Sequence, residues 1–196
     1  MSKELSIPIT ASPAATPATW LRNGGIVLCG SALAAACAHV VLPLYFTPVP
    51  LSLQPLAVLL LGLLLSPRLA AATMVTYLAE GAMGLPVFAP AAGSLGLAQL
   101  FGPTGGYLMA YPLAAALISI LWRRTRRDYV SALLAAAAGD LLILGCGALW
   151  LVLWIRVPAP SVLAMSVLPF LPGDALKIAV AAGMVVGFLR LRRHAA

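Results

Sequence analysis

The segment from Leu168 to Val180 reads Leu-Pro-Phe-Leu-Pro-Gly-Asp-Ala-Leu-Lys-Ile-Ala-Val and places two charged residues at the start of a long apolar run. Pro172 and Gly173 precede Asp174, which predicts a helix that begins here with the acid in its first turn. Asp174 and Lys177 stand three positions apart, so both side chains would lie on one face of that helix. Ionisable groups at membrane depth are costly, so the pair indicates either an ion pair that holds the helix end or a site for a polar ligand.

The composition of the chain predicts an integral membrane protein. Of its 196 residues, 62% are hydrophobic and only 9% are charged, whereas a water-soluble fold needs many more charges to cover its surface. The net charge of +7 arises from arginines clustered at the ends of apolar segments, which is typical of membrane topology rather than of nucleic-acid binding. We therefore expect an all-α integral membrane protein in one compact domain.

Apolar segments divide the chain into six expected transmembrane helices. Their approximate bounds are 24–42, 51–65, 69–84, 103–122, 130–155 and 174–189. Residues 1–23 are rich in Ser, Thr, Pro and Ala, so we expect a flexible cytoplasmic tail there, followed by a six-helix transmembrane domain at 24–193. The segments 85–102 and 156–172 are expected to be connections, the second with room for a short helix.

The basic residues predict the orientation of these helices. Arg156 alone falls on one side of the membrane, whereas the other side receives Lys3, Arg22, Arg68, the four arginines within 123–127, Arg190, Arg192 and Arg193. Because basic residues accumulate on the cytoplasmic side, we expect a six-transmembrane-helix bundle with both termini cytoplasmic. Asp174 and Lys177 would then lie just below the external surface, a position that favours a ligand site over a purely structural ion pair.

Small residues recur every four positions on the first and last expected helices. On the first helix they are Gly30, Ala34 and Ala38, alongside Ala32 and Ala36, and on the last they are Ala179, Gly183 and Gly187. Such stripes allow helix backbones to approach closely in lipid. They indicate either packing within the subunit or a surface for another subunit.

Several kinds of site are missing from the sequence. The only lysines are Lys3 and Lys177, so the chain lacks a phosphate-binding loop of the G-x-x-x-x-G-K-[ST] type, and any use of ATP would belong to a partner. His39 and His194 are far apart and fall toward opposite sides of the membrane, and no metal-ligand spacing is present. We therefore expect no metal and no cofactor.

Glu80 and Asp140 are isolated acids within apolar segments. We expect each to be hydrogen-bonded within the bundle or to lie near its edge, because a buried carboxyl without a partner is costly. The alternative is an intramembrane enzyme that uses Glu80 or Asp140, or a role in proton coupling. No second catalytic group stands at a recognisable spacing from either acid, which argues against catalysis.

Four short motifs carry a resemblance to a known family. They are Thr47-Pro-Val-Pro-Leu-Ser-Leu-Gln-Pro-Leu, Gly84-Leu-Pro-Val-Phe88, Gly102-Pro-Thr-Gly-Gly-Tyr107 and Pro172-Gly-Asp-Ala-Leu-Lys177. Together and in this order they resemble the BioY family, the biotin-specific substrate-binding (S) components of energy-coupling-factor transporters. The resemblance covers roughly residues 25–190.

The resemblance implies a biotin pocket that faces outward and is covered by the connections between helices one and two and between helices three and four. The implied biotin-binding residues are Asp174, Lys177, Gln54, Phe88 and Tyr107. Ala32 and Ala36 resemble the surface by which such components dock to a transmembrane coupling subunit, and two cytoplasmic ATPases complete the complex. Some members are proposed to work alone, as oligomers. The implied location is the bacterial plasma membrane.

The sequence departs from the family pattern in two places, and other functions stay open. The connection after Phe88 reads Ala-Pro-Ala-Ala-Gly-Ser where relatives tend to be glycine-rich, and Leu108 stands where some members carry Arg. The same scaffold could bind another small vitamin. A subunit that only assembles with partners through its small-residue stripes is a further alternative.

Overall fold

The computed structural model describes residues 17–42, 44, 47, 49–90, 96–155 and 158–194. Within these residues the chain is mainly helical, with eight helices and one pair of two-residue strands. The elements in chain order are α1 (Pro17–Ala38), β1 (Val41–Leu42), β2 (Leu51–Ser52), α2 (Gln54–Leu64), α3 (Pro67–Ala82), α4 (Leu97–Leu100), α5 (Gly105–Arg123), α6 (Tyr129–Ile155), α7 (Ala159–Ser166) and α8 (Leu171–His194).

The lengths and surfaces of these helices are those of a membrane protein. Helices α1, α5 and α6 are long and apolar enough to cross a membrane, and α2 is a shorter apolar helix of 11 residues. Helices satisfy their own backbone hydrogen bonds, which is why long apolar segments adopt this structure in lipid. Large apolar side chains also point outward, among them Leu113, Leu134, Leu141 and Met184. This surface fits contact with lipid.

The first helix is shifted toward the N-terminus relative to the sequence-based prediction. It begins at Pro17, so residues 17–23, which the composition assigns to the tail, belong to α1. Proline suits the first helical position because its φ is preset and its missing N–H needs no partner there. Residues 1–16 of the expected tail lie outside the described residues. At its other end α1 stops at Ala38 rather than at 42, because the chain then enters β1.

The two short strands join the end of α1 to the start of α2. They pair in antiparallel register, with Val41 opposite Ser52 and Leu42 opposite Leu51. The Leu53 N–H extends this contact, since it donates to the carbonyl of Val40 at 3.1 Å. Gln54 is therefore held in a defined place as the first residue of α2.

The second half of the chain follows the predicted order with one addition. The segment expected as a loop at 85–102 contains the single-turn helix α4, whereas α7 is the short helix predicted within 156–172. Helix α8 begins at Leu171, and Asp174 lies in its first turn as predicted.

Helix α5 lies at the centre of the bundle. It packs against α2, α3 and α6, and α8 contacts α2 and α6 on the remaining side. The close approach of α5 and α6 depends on glycine, since a Cβ added at Gly147 would lie 2.2 Å from the Tyr107 ring. A Cβ at Gly106 would likewise lie 2.2 Å from Trp150 Cβ. Helices α2, α5, α6 and α8 therefore surround a common space.

The two small-residue faces of α1 have different environments. One face is buried and consists of Gly30, Ala34 and Ala38. A Cβ added at Gly30 would lie 2.7 Å from Thr73 Cγ2 on α3, so this face packs within the subunit. Ala32 and Ala36 are exposed and form a separate face.

Candidate ligand-binding site

A cavity opens between α2, α5, α6 and α8, next to the connection from α1 to α2. Its empty volume is about 580 Å³ with the open mouth included. Most of its lining is apolar and includes Val49, Pro50, Pro55, Ile143, Leu144 and Phe170. A smaller set of polar side chains shares the wall, which is the usual composition of a pocket that encloses and orients a small molecule.

Asp174 and Lys177 line this cavity together from the first two turns of α8. Lys177 Nζ donates to Asp174 Oδ1 at 2.9 Å, and the two side chains are only 7% and 5% exposed. An ion pair and a ligand site are therefore compatible here. A buried pair needs additional hydrogen bonds to offset the loss of water. Within the described residues neither charged group has another hydrogen-bond partner, so both retain bonding capacity at the cavity wall.

Gln54 also lines the cavity, and the protein fixes the orientation of its side chain. Its Nε2 donates to the Tyr77 hydroxyl at 2.7 Å, and that hydroxyl donates to the Val87 carbonyl at 2.9 Å. This chain of bonds uses one of the two amide N–H groups, so the amide oxygen and the second N–H of Gln54 remain available for a ligand. The chain also connects the start of α2 to the segment that follows α3.

Tyr107 lines the cavity as predicted. Its hydroxyl donates to the carbonyl of Ser166 at 2.8 Å, and its ring lies against Gly147. The hydrogen bond ties α5 to the end of α7. Tyr107 therefore offers its ring, rather than its hydroxyl, to the cavity.

Phe88 does not lie in the cavity wall formed by the described residues, in contrast to the predicted direct contact. Its ring is buried and makes an edge-to-face contact with Tyr77, with ring centroids 5.3 Å apart and planes at 75°. A Cβ added at Gly81 would lie 2.0 Å from the Phe88 ring, so the glycine makes room for it. Phe88 packs behind Tyr77 and thereby supports Gln54. The remainder of the segment after Ala89 and Pro90, residues 91–95, lies outside the described residues.

Asp140 is a pocket residue that the sequence-based prediction placed elsewhere. It lies in the middle of α6, is 4% exposed and lines the cavity with Asp174 and Lys177. Within the described residues its side chain has no hydrogen-bond partner, so the expected bond within the bundle stays a prediction. The helical period could have predicted that Asp140 faces the interior, because Asp140 shares a face of α6 with the buried residues Ala136 and Ile143.

Glu80 has a different environment from Asp140. It accepts a short hydrogen bond from Ser31 Oγ, which joins α3 to α1 and confirms the expectation of bonding within the bundle. Glu80 is not part of the cavity wall that contains Asp140. The structure therefore does not bring these two acids together in one site.

Two further polar residues line the cavity, and the sequence analysis predicted neither of them as a site residue. Gln99 on α4 is buried, and its Nε2 donates to the Ala89 carbonyl at 2.7 Å, which leaves its amide oxygen for a ligand. Tyr111 on α5 is also buried, and its hydroxyl has no hydrogen-bond partner within the described residues. Neither residue belongs to a recognisable motif, and only the packing of α4 and α5 places them here.

These features define a class of protein. Within the described residues a helical membrane bundle encloses a mainly apolar cavity, and buried carboxyl, ammonium, amide and hydroxyl groups converge on it. Such a site binds a small molecule that has both apolar surface and hydrogen-bonding groups. The geometry is that of a membrane-embedded small-molecule-binding protein.

The chain belongs to the BioY family, whose family model matches residues 8–194. A protein of Pyrococcus horikoshii named "Probable biotin transporter BioY" is 38% identical over 134 residues, which cover 68% of this chain and 76% of that protein. "Biotin transporter BioY2" of Lactococcus lactis subsp. cremoris is 31% identical over 176 residues, which cover 90% of this chain and 94% of that protein. The resemblance noted from the four motifs is confirmed.

A solved structure shares the fold. It is described as the S-component for biotin from an ECF-type ABC transporter, and it superposes with a TM-score of 0.80 at 27% sequence identity. The match covers 92% of this chain and 95% of the other. The similarity therefore extends over the whole bundle that surrounds the cavity.

Proposed function

We propose that this chain is a biotin-binding membrane component that mediates biotin uptake. The observation that carries the proposal is the buried Asp174–Lys177 pair, which lines a mainly apolar cavity in a member of the BioY family. Relatives named as biotin transporters and the S-component for biotin support the choice of ligand. The cavity is the place where biotin binds.

The polar groups of the cavity complement the ureido ring of biotin. That ring presents two N–H donors and one carbonyl acceptor. Asp174 accepts a hydrogen bond from one N–H, Lys177 donates to the carbonyl, and Asp140 is placed to accept from the second N–H. Hydrogen bonds to charged groups are strong in a site that excludes water, and a ligand that leaves them unmade loses affinity. These contacts provide the selectivity of the site.

The apolar part of the cavity complements the rest of the biotin molecule. The rings of Tyr107 and Phe170, with Leu144 and Ile143, enclose the sulfur-containing ring and the aliphatic tail of biotin. Burial of apolar surface contributes about 25 cal/mol per Å², so this contact adds affinity without adding direction. Phe88 acts indirectly in this arrangement, because it supports Tyr77 and through it Gln54.

The proposed arrangement in the membrane has six spans formed by α1, α2, α3, α5, α6 and α8. Both termini face the cytoplasm of a bacterial cell, and the cavity opens outward across the inner membrane. The distribution of basic residues supports this orientation, since the α5–α6 connection and the end of α8 carry most of the arginines. Biotin then reaches the cavity from outside.

Transport needs energy that this chain does not provide. We assign ATP hydrolysis to cytoplasmic ATPase subunits and docking to a transmembrane coupling subunit, with Ala32 and Ala36 of α1 as the contact. Both residues are exposed, and small side chains let a partner helix approach closely. Self-association through the same face would serve if the protein acts alone. An enzymatic role is not favoured, because Glu80 and Asp140 occupy separate environments.

Calorimetric titration of the detergent-purified protein tests the ligand assignment. We expect one biotin per chain with a Kd below about 1 μM, and no heat of binding with thiamine or riboflavin at the same concentrations. Preferential binding of either of those vitamins would support the alternative of a different substrate on the same scaffold. A folded protein that binds none of the three would contradict the proposal.

A further inference from the structure

A second cavity lies at the opposite end of the bundle from the pocket of Asp174. It is enclosed by the end of α2, the end of α5, the α5–α6 connection and the last turns of α8, and its volume is about 500 Å³ with the mouth included. Three arginines from three different elements line it: Arg123, Arg127 and Arg192. We refer to it below as the arginine cavity.

Two of the three arginine side chains contact neighbouring groups of the bundle. Arg123 Nε donates to Ser119 Oγ at 3.3 Å, and the buried Ser119 hydroxyl in turn donates to the Leu65 carbonyl at 2.6 Å. The guanidinium of Arg192 lies over the Phe188 ring, 5.2 Å from its centroid. Arg127 has a φ of +57°, a left-handed conformation that is uncommon for a residue with a side chain. Arg127 therefore lines the cavity from a turn with a less common backbone conformation.

Among the described residues, the three arginines of this cavity have no acidic partner. None of these arginines forms a salt bridge within the part of the chain that the structure describes. The nearest acid in sequence, Asp128, caps α6 by accepting the Ser131 N–H at 2.8 Å. Hydrogen bonds from Ser131, followed by the charge of Arg126, lower the pKa of Asp128. Like charges around one cavity repel each other, and an anion bound between them would relieve that repulsion.

The rest of the arginine cavity is apolar and continues to the outer surface of the bundle. Trp122 and Leu63 form a buried floor, whereas Leu64 and Phe188 are 46% and 47% exposed at the edge. A free anion gains nothing from such an edge. An anion with attached acyl chains would place its charge among the arginines and its chains along Leu64 and Phe188.

We propose that the arginine cavity binds the phosphate headgroup of an anionic phospholipid. Guanidinium groups pair well with phosphate oxygens, and basic pockets between helix ends are suited to such headgroups. In the proposed orientation this cavity lies at the cytoplasmic leaflet. The proposal does not depend on the identity of the ligand in the other pocket.

The test compares phosphatidylglycerol with phosphatidylcholine of identical acyl chains, each added to the protein in neutral detergent and followed by native mass spectrometry and by thermal denaturation. We expect phosphatidylglycerol to bind at least about tenfold more tightly and to raise the Tm. The triple variant Arg123→Gln/Arg127→Gln/Arg192→Gln should bind both lipids alike. Inorganic phosphate at the same concentration should not raise the Tm.

The matched control removes the same charge from neighbouring arginines that do not line the cavity, as Arg124→Gln/Arg126→Gln/Arg190→Gln. It should keep its preference for phosphatidylglycerol. Biotin binding, which should be unchanged in both triple variants, reports that they fold. If the cavity variant does not fold, Arg127→Gln alone should weaken phosphatidylglycerol binding about fivefold.

Three results would overturn the proposal. Equal binding of the two lipids by the wild-type protein would exclude a headgroup site. Equal losses in the two triple variants would show general attraction to the basic helix ends rather than a site. A rise in Tm with inorganic phosphate that matches the effect of phosphatidylglycerol would assign the cavity to a free phosphate ion.

Discussion

The polar residues buried in this bundle fall into two regions that differ in how their bonding capacity is used. On the α1–α3 side, Glu80 is bonded to Ser31, and Tyr77 bonds both Gln54 and Val87. On the α6–α8 side, Asp140 has no partner among the described residues, and Asp174 and Lys177 have only each other. Residue type alone does not separate structural from ligand-binding groups in a membrane protein. The two kinds of group are separated instead by whether the protein itself provides their hydrogen-bond partners.

This contrast makes a general prediction. Changes on the α6–α8 side should weaken ligand binding more than they weaken folding. Changes on the α1–α3 side should weaken folding more than binding, because their partners lie within the protein. Each of the following variants tests this difference between the two sides of the bundle.

Lys177→Ala should have the largest effect on binding. It removes a buried donor and leaves the Asp174 carboxylate without its counterion, so biotin Kd should rise at least about 100-fold. Calorimetric titration measures this change. Leu176→Ala is the matched control, because Leu176 is the neighbouring residue and is 67% exposed outside the cavity. Similar biotin affinities in the two variants would remove Lys177 from the site.

Phe88→Ala should mainly affect stability. The change removes a buried ring that packs on Tyr77, and losses of about 3–5 kcal/mol are usual for such truncations. Thermal denaturation in detergent should show a clear decrease in Tm, whereas biotin binding measured well below that Tm should fall less than in Lys177→Ala. A variant with the wild-type Tm but greatly weakened binding would show instead that Phe88 contacts the ligand.

Asp140→Asn and Glu80→Gln form a matched pair, since each removes one charge from one buried or half-buried acid. Asp140→Asn should raise biotin Kd about tenfold, because the amide offers one acceptor oxygen at the cavity where the carboxyl group offers two. Glu80→Gln should leave biotin Kd within about twofold and lower the Tm slightly through the weakened contact with Ser31. Calorimetry and thermal denaturation of both variants measure these effects. The reverse pattern would contradict the division of the bundle into two regions.

Much of the fold could be predicted because it depends on local sequence. The apolar segments predicted most of the long helices, and the spacing of Asp174 and Lys177 predicted both their shared face and the helix start near Pro172. These inferences need only the helical period and the cost of charge in lipid. The extension of α1 to Pro17 was missed because a Ser/Thr/Pro-rich composition outweighed the helix-start signal of that proline.

The rest of the site depends on contacts between distant segments. Gln99 lies at the cavity because α4 packs beside α5. No local sequence pattern predicts a single-turn helix within an apolar connection. Phe88 lies behind Tyr77 because Gly81 leaves space for its ring, a contact that a motif cannot reveal. Asp140 was the exception, since its place on the buried face of α6 could have been read from the helical period.

We propose that Asp174 and Lys177 hold a ligand in addition to pairing with each other. The double variant Asp174→Asn/Lys177→Met tests it most directly, because it removes both charges without leaving either one unpaired, and such replacements often keep or raise stability. We predict a Tm at or above that of the wild-type protein, together with a biotin Kd raised at least about 100-fold in calorimetric titration. A folded double variant that binds biotin with wild-type affinity would contradict the account.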